Sequence, residues 1–507
     1  MQIIADLQLH SKFSRAVSPQ MVIPQIHAWA KRKGIGLVAT GDWTHPLWMK
    51  EIRTNLEEIG NGLLKLRTEV ANKNFDPSSV ARLTPSSTKP PKASEAGRNF
   101  VRSPYADPLF LLATEVSCIY SQGGKGRRVH TLIWVPSFDS ADKINKEMTR
   151  QGCNLLSDGR PIIGLTSIQV AELVLTIEPK ALIIPAHAWT PWFSVYGFMS
   201  GFDSIDEAFG PYAKHIYAVE TGLSSSPAMN WRIKELDTRS ILSFSDAHSG
   251  PKIGREATVF DIPNGKLSYD AIYEAIRGTQ QNNELGITNI EKTNKNRNSK
   301  FIIPHSSIAF TIEFYPEEGK YHWSGHRACN IRWGPIEIEK NGSSCPVCGK
   351  PLTQGVEQRV GKLAGRSEKD LNLELRTTNY ELGGKKASIQ MTGSKTFPKR
   401  PPFVSLVPLQ EILSECIGSP VASPKVQTPY RQLTDALHGE FNVLLGASHQ
   451  EIAAVAGERV AVGIQKVRDG DIIIDPGYDG VFGVVKIWRE GQEKPLVDAS
   501  KEQLKIF

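Results

Sequence analysis

Residues 109–135 read LFLLATEVSCIYSQGGKGRRVHTLIWV, two runs rich in Leu, Ile and Val on either side of a glycine-rich, basic turn. Runs of this kind, 109–116 and 128–135, predict strands buried on both faces. If the loop SQGGKGRR closes them into an antiparallel pair, the end of the first strand lies beside the start of the second. Glu115 and His130 then become neighbours, a carboxylate next to an imidazole in a mostly apolar setting.

Similar runs recur outward from this stretch, at 2–9 (QIIADLQL), 36–41 (GLVATG), 180–186 (KALIIPA), 216–221 and 240–246. Helical periodicity lies between most of them, at 19–33, 45–60, 141–151, 166–178, 204–209, 227–237 and 268–277. The alternation predicts an α/β fold, and seven strands in this order suggest a barrel rather than a small open sheet. Strand C-termini of a parallel barrel share one rim, so residues distant in sequence converge there. Asp6 and His10 sit at the end of the first strand, Asp42 ends the second and Glu115 the third, His187 ends ALIIPAH, and Asp246 and His248 follow SILSF. A lone histidine is usually a surface or hydrogen-bonded residue. Several carboxylates and imidazoles at one rim would repel, and a divalent cation is the simplest stabiliser of such a set. Mixed ligands of this type suit Zn, Mn, Fe or Ni, and Mg where a substrate phosphate completes the shell.

The 507 residues allow two to four domains at about 100–200 residues each. With 40% hydrophobic and 22% charged residues, the composition excludes wholesale disorder and a fibrous chain. No run approaches the ~20 apolar residues of a membrane span, and the start, MQIIADLQLHSKFS, lacks a signal-peptide core, so no membrane partner and a cytoplasmic location are expected. The formal charge of +7 is compatible with a polyanion without demanding one. Residues 68–104, rich in Pro, Ser and Lys, predict a flexible insertion, and the polar stretch 281–300 predicts a linker. A third polar stretch spans about 414–430, helical patterning marks 403–413 and 431–455, and 458–489 alternate as strands around Gly470, Gly477 and Gly480.

Six cysteines are too few for a disulfide framework. His326-x-x-Cys329 followed by Cys345-Pro-Val-Cys348 has the paired spacing of a structural zinc site, with His322 competing for the fourth position. Gly393-Ser394-Lys395-Thr396 lacks the Gly-Lys step of a phosphate-binding loop, which excludes an ATP-driven motor.

Asp6-Leu-Gln-Leu-His10-Ser, Gly41-Asp42, Thr114-Glu115-Val116, Val129-His130, Pro185-Ala186-His187 and Ser245-Asp246-Ala247-His248 resemble, in order, the motifs of the PHP (polymerase and histidinol phosphatase) superfamily. IIPAHAWTPWFSVYG, VETGLSSSPAMNWR, TIEFYPEEGKYHWSGHRACN, CPVCGKPLTQGVEQRV and DPGYDGVFGVVKIW resemble, more narrowly, the endonuclease Q family of repair nucleases. The resemblance covers most of the chain apart from 68–104. It implies a distorted (β/α)7 PHP barrel over 1–280, a zinc module over 301–365, and a mixed α+β domain over 366–507 that recognises DNA and its lesions.

The resemblance further implies two or three divalent ions (Zn, Mn or Mg) at the barrel site and one structural Zn. It makes Glu115 a bridging carboxylate, His10 and Asp246 ligands of one metal, His130 and His187 ligands of another, and assigns Asp42 and His248 to a third or shared position. Gln8 stands where the family has a histidine and Arg15 where many relatives have another, which puts a full third metal in question; His45 is a substitute from the loop or a helix-start residue. The implied activity is cleavage of DNA on the 5′ side of deaminated bases such as uracil, hypoxanthine or xanthine, or of abasic sites, by metal-activated water. A small-molecule phosphoesterase of the histidinol-phosphatase kind and a non-catalytic DNA-binding protein are the alternatives. A sliding clamp or repair polymerase stays an open partner class. An extruded base needs a slot, for which Trp189, Trp192 and Phe193 after His187 are candidates, closed by Tyr478, Asp479 and Phe482.

Overall fold

Residues 109–135 fold as the expected antiparallel hairpin, with Leu112 opposite Val135 and Ser117 opposite His130. The computed structural model describes residues 1–71, 107–284, 307–382 and 385–489. The insertion expected at 68–104 and the linker expected at 281–300 lie mostly outside these described residues.

Among the described residues, thirteen strands join one mixed sheet. In chain order it starts with β1 (Gln2–Asp6), β2 (Leu37–Ala39), β3 (Leu56–Glu58), β4 (Leu64–Leu66), the long hairpin β5 (Leu109–Gln122) and β6 (Lys125–Val135), β7 (Ile162–Ile163) and β8 (Leu182–Pro185). A separate parallel pair, β9 (Ala218–Glu220) and β10 (Ser240–Leu242), is followed by β11 (Ala257–Asp261), antiparallel to β1. β1, β2 and β5 are parallel neighbours, whereas β5–β6 and β6–β8 are antiparallel. The Ala188 N–H donates to the Glu220 carbonyl at 2.9 Å, and the Ser243 N–H to Thr258 Oγ1 at 3.0 Å. These two bonds carry the path β1–β2–β5–β6–β8–β9–β10–β11 back to β1.

Every strand expected before residue 250 is present. β3, β4, β7 and β11 are additional, β3 taking the end of the helix expected over 45–60. The five residues of β11 follow a Ser-Gly-Pro turn with no full helix before them, so the βα rhythm does not announce them. Local chemistry sets the helix ends. Helix Ser167–Ile177 begins on a capping box between Thr166 and Gln169, and helix Ile23–Lys33 ends in Lys31, Arg32 and Lys33 against its negative pole before Gly34 at φ 84°.

The sheet continues into the later residues. β12 (Ser307–Glu313) pairs with β11, then come the ribbon β13 (Ser324–His326) and β14 (Ile331–Trp333), the hairpin β15 (Leu373–Leu382) and β16 (Lys385–Ser394), β17 (Phe403–Ser405) on β12, and a last ribbon β18 (Ile473–Asp475) and β19 (Val484–Lys486). The structure corrects three expectations here, the first being that only Leu409–Ile417 is helical where a helix was expected over 403–413, since Phe403–Ser405 pairs with β12 as β17. Glu458–Arg468 is a helix, not a strand, because Val460, Ala461, Ile464 and Val467 are buried at helical spacing. Pro424–Ala436, within and beyond the third polar stretch, is also a helix, with Pro424 in its first turn and Val426, Tyr430 and Leu433 on the buried face.

The C-terminal helices are anchored to helix Ile23–Lys33 through a buried ion pair. Lys33 Nζ donates to Glu440 Oε2 at 2.8 Å, the Tyr430 hydroxyl donates to the same oxygen at 2.7 Å, and the Leu409 N–H donates to Glu440 Oε1 at 3.1 Å. Only 2% of the Lys33 side chain and 5% of the Glu440 side chain are exposed, so removing one partner strands a charge in the interior. Glu440→Ala is therefore expected to destabilise the fold by about 3–5 kcal/mol in a denaturant titration. A loss under about 1 kcal/mol would show that the pair is not buried in solution.

Candidate metal centre

The hairpin register creates the centre. Glu115 faces Leu132 and Ser117 faces His130, so Glu115 and His130 are diagonal neighbours on one face. The Ala186 N–H bonds the His130 carbonyl at 3.1 Å, which places His187 beside His130. An isolated bridge between Leu9 and Ala247 brings His10 against Asp246 and His248. Asp42, His187 and Asp246 adopt left-handed backbone, at φ 47°, 30° and 46°. Non-glycine residues hold such conformations at a cost, and they concentrate at functional sites.

Glu115 lies between two clusters. Its Oε1 is 2.5 Å from His130 Nδ1 and 3.7 Å from His187 Nε2, while its Oε2 is 3.2 Å from His10 Nε2. Ligand atoms of Glu115, His130 and His187 lie within 4.8 Å of one another, and so do those of His10, Asp246 and His248. The hydrogen bonds fix the tautomers. The Thr190 hydroxyl spends its proton on the Trp192 carbonyl and so accepts from His187 Nδ1 at 3.1 Å, leaving the Nε2 lone pair aimed at the cluster. His248 Nδ1 donates to the Asp246 carbonyl at 2.8 Å, so Nε2 is the nitrogen it has left for a cation.

Asp42 acts differently from the ligand role expected for it. Its Oδ1 accepts from His10 Nδ1 at 2.9 Å, and its Oδ2 accepts from the Ser11 N–H, the Ser11 hydroxyl and the Ser14 hydroxyl at 2.6–2.8 Å. Both oxygens are occupied, so Asp42 orients His10 and turns His10 Nε2 toward Glu115 and Asp246. Asp6 is likewise occupied, by Ser245 and the Gly254 N–H. His45 accepts from the Trp48 N–H and starts helix Pro46–Asn55, and Arg15 meets Asp158 through its backbone. Gln8 Nε2 donates to Glu115 Oε2 at 2.8 Å, and its buried Oε1 has no partner.

The electrostatics follow from burial and crowding. Burial opposes charge on His10, but Asp42, Asp246 and Glu115 outweigh it and hold its pKa well above the ordinary value. Burial likewise opposes the Glu115 carboxylate, yet His130, Arg160 and His10 keep it ionised, well below the usual range. Burial pushes His130 down to about 4 despite Glu115. Imidazole lone pairs and carboxylates converging in a buried space need protons or a cation. The donor set, with the orphaned Gln8 oxygen beside it, fits divalent metal.

Two contributors were not legible in the sequence. Arg160 NH1 is 3.4 Å from both Glu115 Oε1 and His10 Nε2, yet a single arginine in the turn Asp158-Gly-Arg-Pro carries no spacing signal. Glu220 Oε2 accepts from the His187 N–H at 2.7 Å and holds that strained residue in place. Gly222 lets the two approach, because a Cβ there would collide with the Cβ of His187. Glu220→Ala is expected to lower activity at this centre about 10–100-fold, with Glu220→Gln, whose carbonyl still accepts the bond, recovering most of it. Equal losses in both variants would show that the hydrogen bond is not what matters.

The chain aligns with the crystal structure of the lesion-specific endonuclease PfuEndoQ from Pyrococcus furiosus at a TM-score of 0.71 and 26% identity, over 99% of each chain. The protein is endonuclease Q-like. A crystal structure of endonuclease Q in complex with a 27-mer duplex bearing an abasic lesion at the active site aligns at a TM-score of 0.70 and 26% identity, over 98% of this chain and 100% of that one. Residues 408–471 match the family described as the MJ0043 C-terminal domain. The uncharacterized protein MJ0043 of Methanocaldococcus jannaschii is 29% identical over 302 residues, 59% of this chain and 31% of that one. YqxK of Bacillus subtilis, also uncharacterized, is 28% identical over 389 residues, 75% of this chain and 79% of that one. The chain thus spans about a third of the length of MJ0043 and most of YqxK.

The endonuclease Q-like fold also gathers His326, Cys329, Cys345 and Cys348, whose ligand atoms lie within 4.8 Å of one another. His322, the competing candidate, stands outside this group, 3.7 Å from Glu357. Among the aromatic candidates, Trp189 is core: it is buried, stacked on Tyr196, and donates to Asn230 Oδ1 at 2.8 Å. Tyr478 and Asp479 tie their loop to the Cys/His group, through Asn330 for Tyr478 and through the Arg327 N–H and Thr353 hydroxyl for Asp479. Trp192 and Phe193 lie at the rim, the latter with its ring 4.9 Å from that of His130.

Proposed function

We propose that this endonuclease Q-like chain is a metal-dependent DNA repair endonuclease that hydrolyses the phosphodiester 5′ of deaminated bases (uracil, hypoxanthine, xanthine) or abasic sites. The observation that carries the reading is Glu115, which groups with His130 and His187 and also reaches His10 of the neighbouring His10–Asp246–His248 group, in a chain that aligns end to end with a lesion-specific endonuclease. On this reading the strand circuit is a PHP barrel, residues 301–365 are a zinc module, and residues 366–507 contribute DNA and lesion recognition.

His10, Glu115 and Asp246, with His248, would hold one cation, and Glu115, His130 and His187 a second. Divalent cations there supply Lewis acidity to the phosphodiester and lower the pKa of water near neutral pH. Glu115 keeps both halves in register. Asp42 holds His10 and Thr190 holds His187, so that each turns its Nε2 toward the site, where the proton that the surrounding carboxylates otherwise keep on His10 would give way to a bound cation. The Arg160 guanidinium, at the mouth with 22% of its side chain exposed, is placed to bond a phosphate oxygen as charge builds on it. Trp192 and Phe193 supply flat apolar surface for an extruded base.

The test is nicking of duplexes that differ in one base (uracil, hypoxanthine, an abasic site or thymine), with Mn²⁺ or with EDTA, beside hydrolysis of p-nitrophenyl phosphate. Cutting of the lesion duplexes alone, abolished by EDTA, is expected. Hydrolysis of the small ester with no nicking would favour a small-molecule phosphoesterase, and binding without cutting would favour a non-catalytic protein.

A further inference from the structure

The aromatic surface does not stop at the rim of the metal centre. Trp192 meets Tyr321 edge-on, with ring centroids 5.3 Å apart. Tyr321 belongs to the segment that holds the 477–483 loop: the Gly480 N–H donates to the Lys320 carbonyl at 2.9 Å, the Trp323 N–H to the Gly477 carbonyl at 2.9 Å, and the Gly483 N–H to the Glu318 carbonyl at 3.1 Å. The loop also closes on itself, Tyr478 and Val481 exchanging backbone bonds at 3.0 and 2.7 Å. With Tyr478 and Asp479 also bonded to the Cys/His region, the turn has little freedom left.

Its tip nonetheless offers apolar side chains to water. Phe482 is 67% exposed and Val481 40%. The ammonium of Lys320 sits 4.4 Å from the centre of the Phe482 ring, and the Arg327 guanidinium lies beside Gly480. A flexible loop would fold such a ring away, whereas this one is held outward. A rigid apolar tip flanked by cations complements a polyanion whose interior is a stack of flat faces, and apolar wedges of this kind enter base steps in other DNA-binding folds. Charge disfavours an apolar protein partner at the same place.

We propose that Phe482 is a wedge that enters the base stack beside the nucleotide taken into the metal centre, with Lys320 on the adjoining phosphate. Extruding a base opens a gap in the stack, and a ring inserted there keeps the base from returning. Phe482 thus acts on the duplex that the base leaves, rather than as a wall of the slot that receives it. The inference rests on the DNA-cleaving reading above for its substrate.

The experiment uses the full chain and a duplex with 2-aminopurine next to a uracil. On a duplex made uncleavable by a methylphosphonate 5′ of the uracil, which avoids a chelator and leaves the Cys/His group undisturbed, the wild-type protein is expected to raise 2-aminopurine fluorescence as the stack opens. Phe482→Ala should lose most of that rise, and Phe482→Trp should keep it. In Mn²⁺, the ratio of duplex to single-strand nicking should fall about tenfold in Phe482→Ala, the size of one lost stacking contact. Lys320→Ala should lower the slope of log affinity against log salt by about one. No fluorescence rise with the wild type, or a wild-type rise and nicking ratio in Phe482→Ala, overturns the wedge. A rise with the wild type but no nicking in Mn²⁺ overturns the nuclease reading while supporting the wedge.

Discussion

Glu115→Gln is expected to lower nicking of a uracil-containing duplex by at least about a thousandfold on the proposed reading, because one neutral amide replaces the carboxylate that faces both candidate metal groups. The wild-type side chain presents Oε1 to His130 and His187 and Oε2 to His10. An amide offers one weak oxygen ligand and turns its nitrogen toward the other cluster. The change also removes the charge that faces Arg160, so a partly exposed guanidinium loses one of its counter-charges. Asp246 and Asp42 still face it, which is why the fold should survive. His187→Ala and Asp246→Ala provide the comparison, since each disables one cluster and leaves the other. Native mass spectrometry counts the bound Mn²⁺, and circular dichroism reports the fold. A Glu115→Gln protein that nicks at even a tenth of the wild-type rate would remove Glu115 from the centre of the chemistry.

Cys345→Ser is the second large expected effect, and it acts on structure before activity. His326 lies at the end of β13, Cys329 in the following turn, and Cys345 and Cys348 in a knuckle closed by the Cys345 N–H to the Lys350 carbonyl and the Gly349 N–H to the Cys345 carbonyl, at 2.8 and 2.9 Å. These elements are short and poor in apolar contacts: Ile336 and Val347 are 80% and 68% exposed. A segment with so little core would gain most of its stability from a bound metal, and structural zinc contributes about 10–16 kcal/mol in small finger domains. The variant should lose one equivalent of zinc and expose residues 320–360 to proteolysis. Because the 477–483 loop hangs on the same segment, duplex nicking should fall as well, with the Glu115 clusters still loading Mn²⁺. Unchanged zinc content would reject the four-ligand assignment.

Much of this arrangement could be read in the sequence, and the reasons are physical. Buried strands leave long apolar runs, so the β5–β6 hairpin and the residues at its ends were legible, and from them the convergence of Glu115 with His130. Cysteine spacing is equally plain, because a knuckle admits few sequences. What escaped were roles settled only by packing. Asp42 reads as a ligand until Ser11, Ser14 and His10 are seen to occupy both its oxygens. Trp189 and Trp192 are three residues apart in one loop, and nothing in the letters says that one is core and the other rim. Arg160 and Glu220 act across strands that the chain joins only after long excursions. The helix Glu458–Arg468 was misread because Val, Ala and Ile close to Gly463 alternate well enough to imitate a strand.

The pairing of β12 with β11 means that the strand circuit around Glu115 is not a detachable cassette. A chain cut after residue 280 would present the hydrogen-bonding edge of Ala257–Asp261 to any passing strand, and Lys33 would face an interior from which its carboxylate had gone. Recombination at that boundary would yield an aggregation-prone fragment instead of a smaller folded unit. The two halves of the chain are therefore bound to be inherited together, and a substitution in one half is screened by its effect on the other.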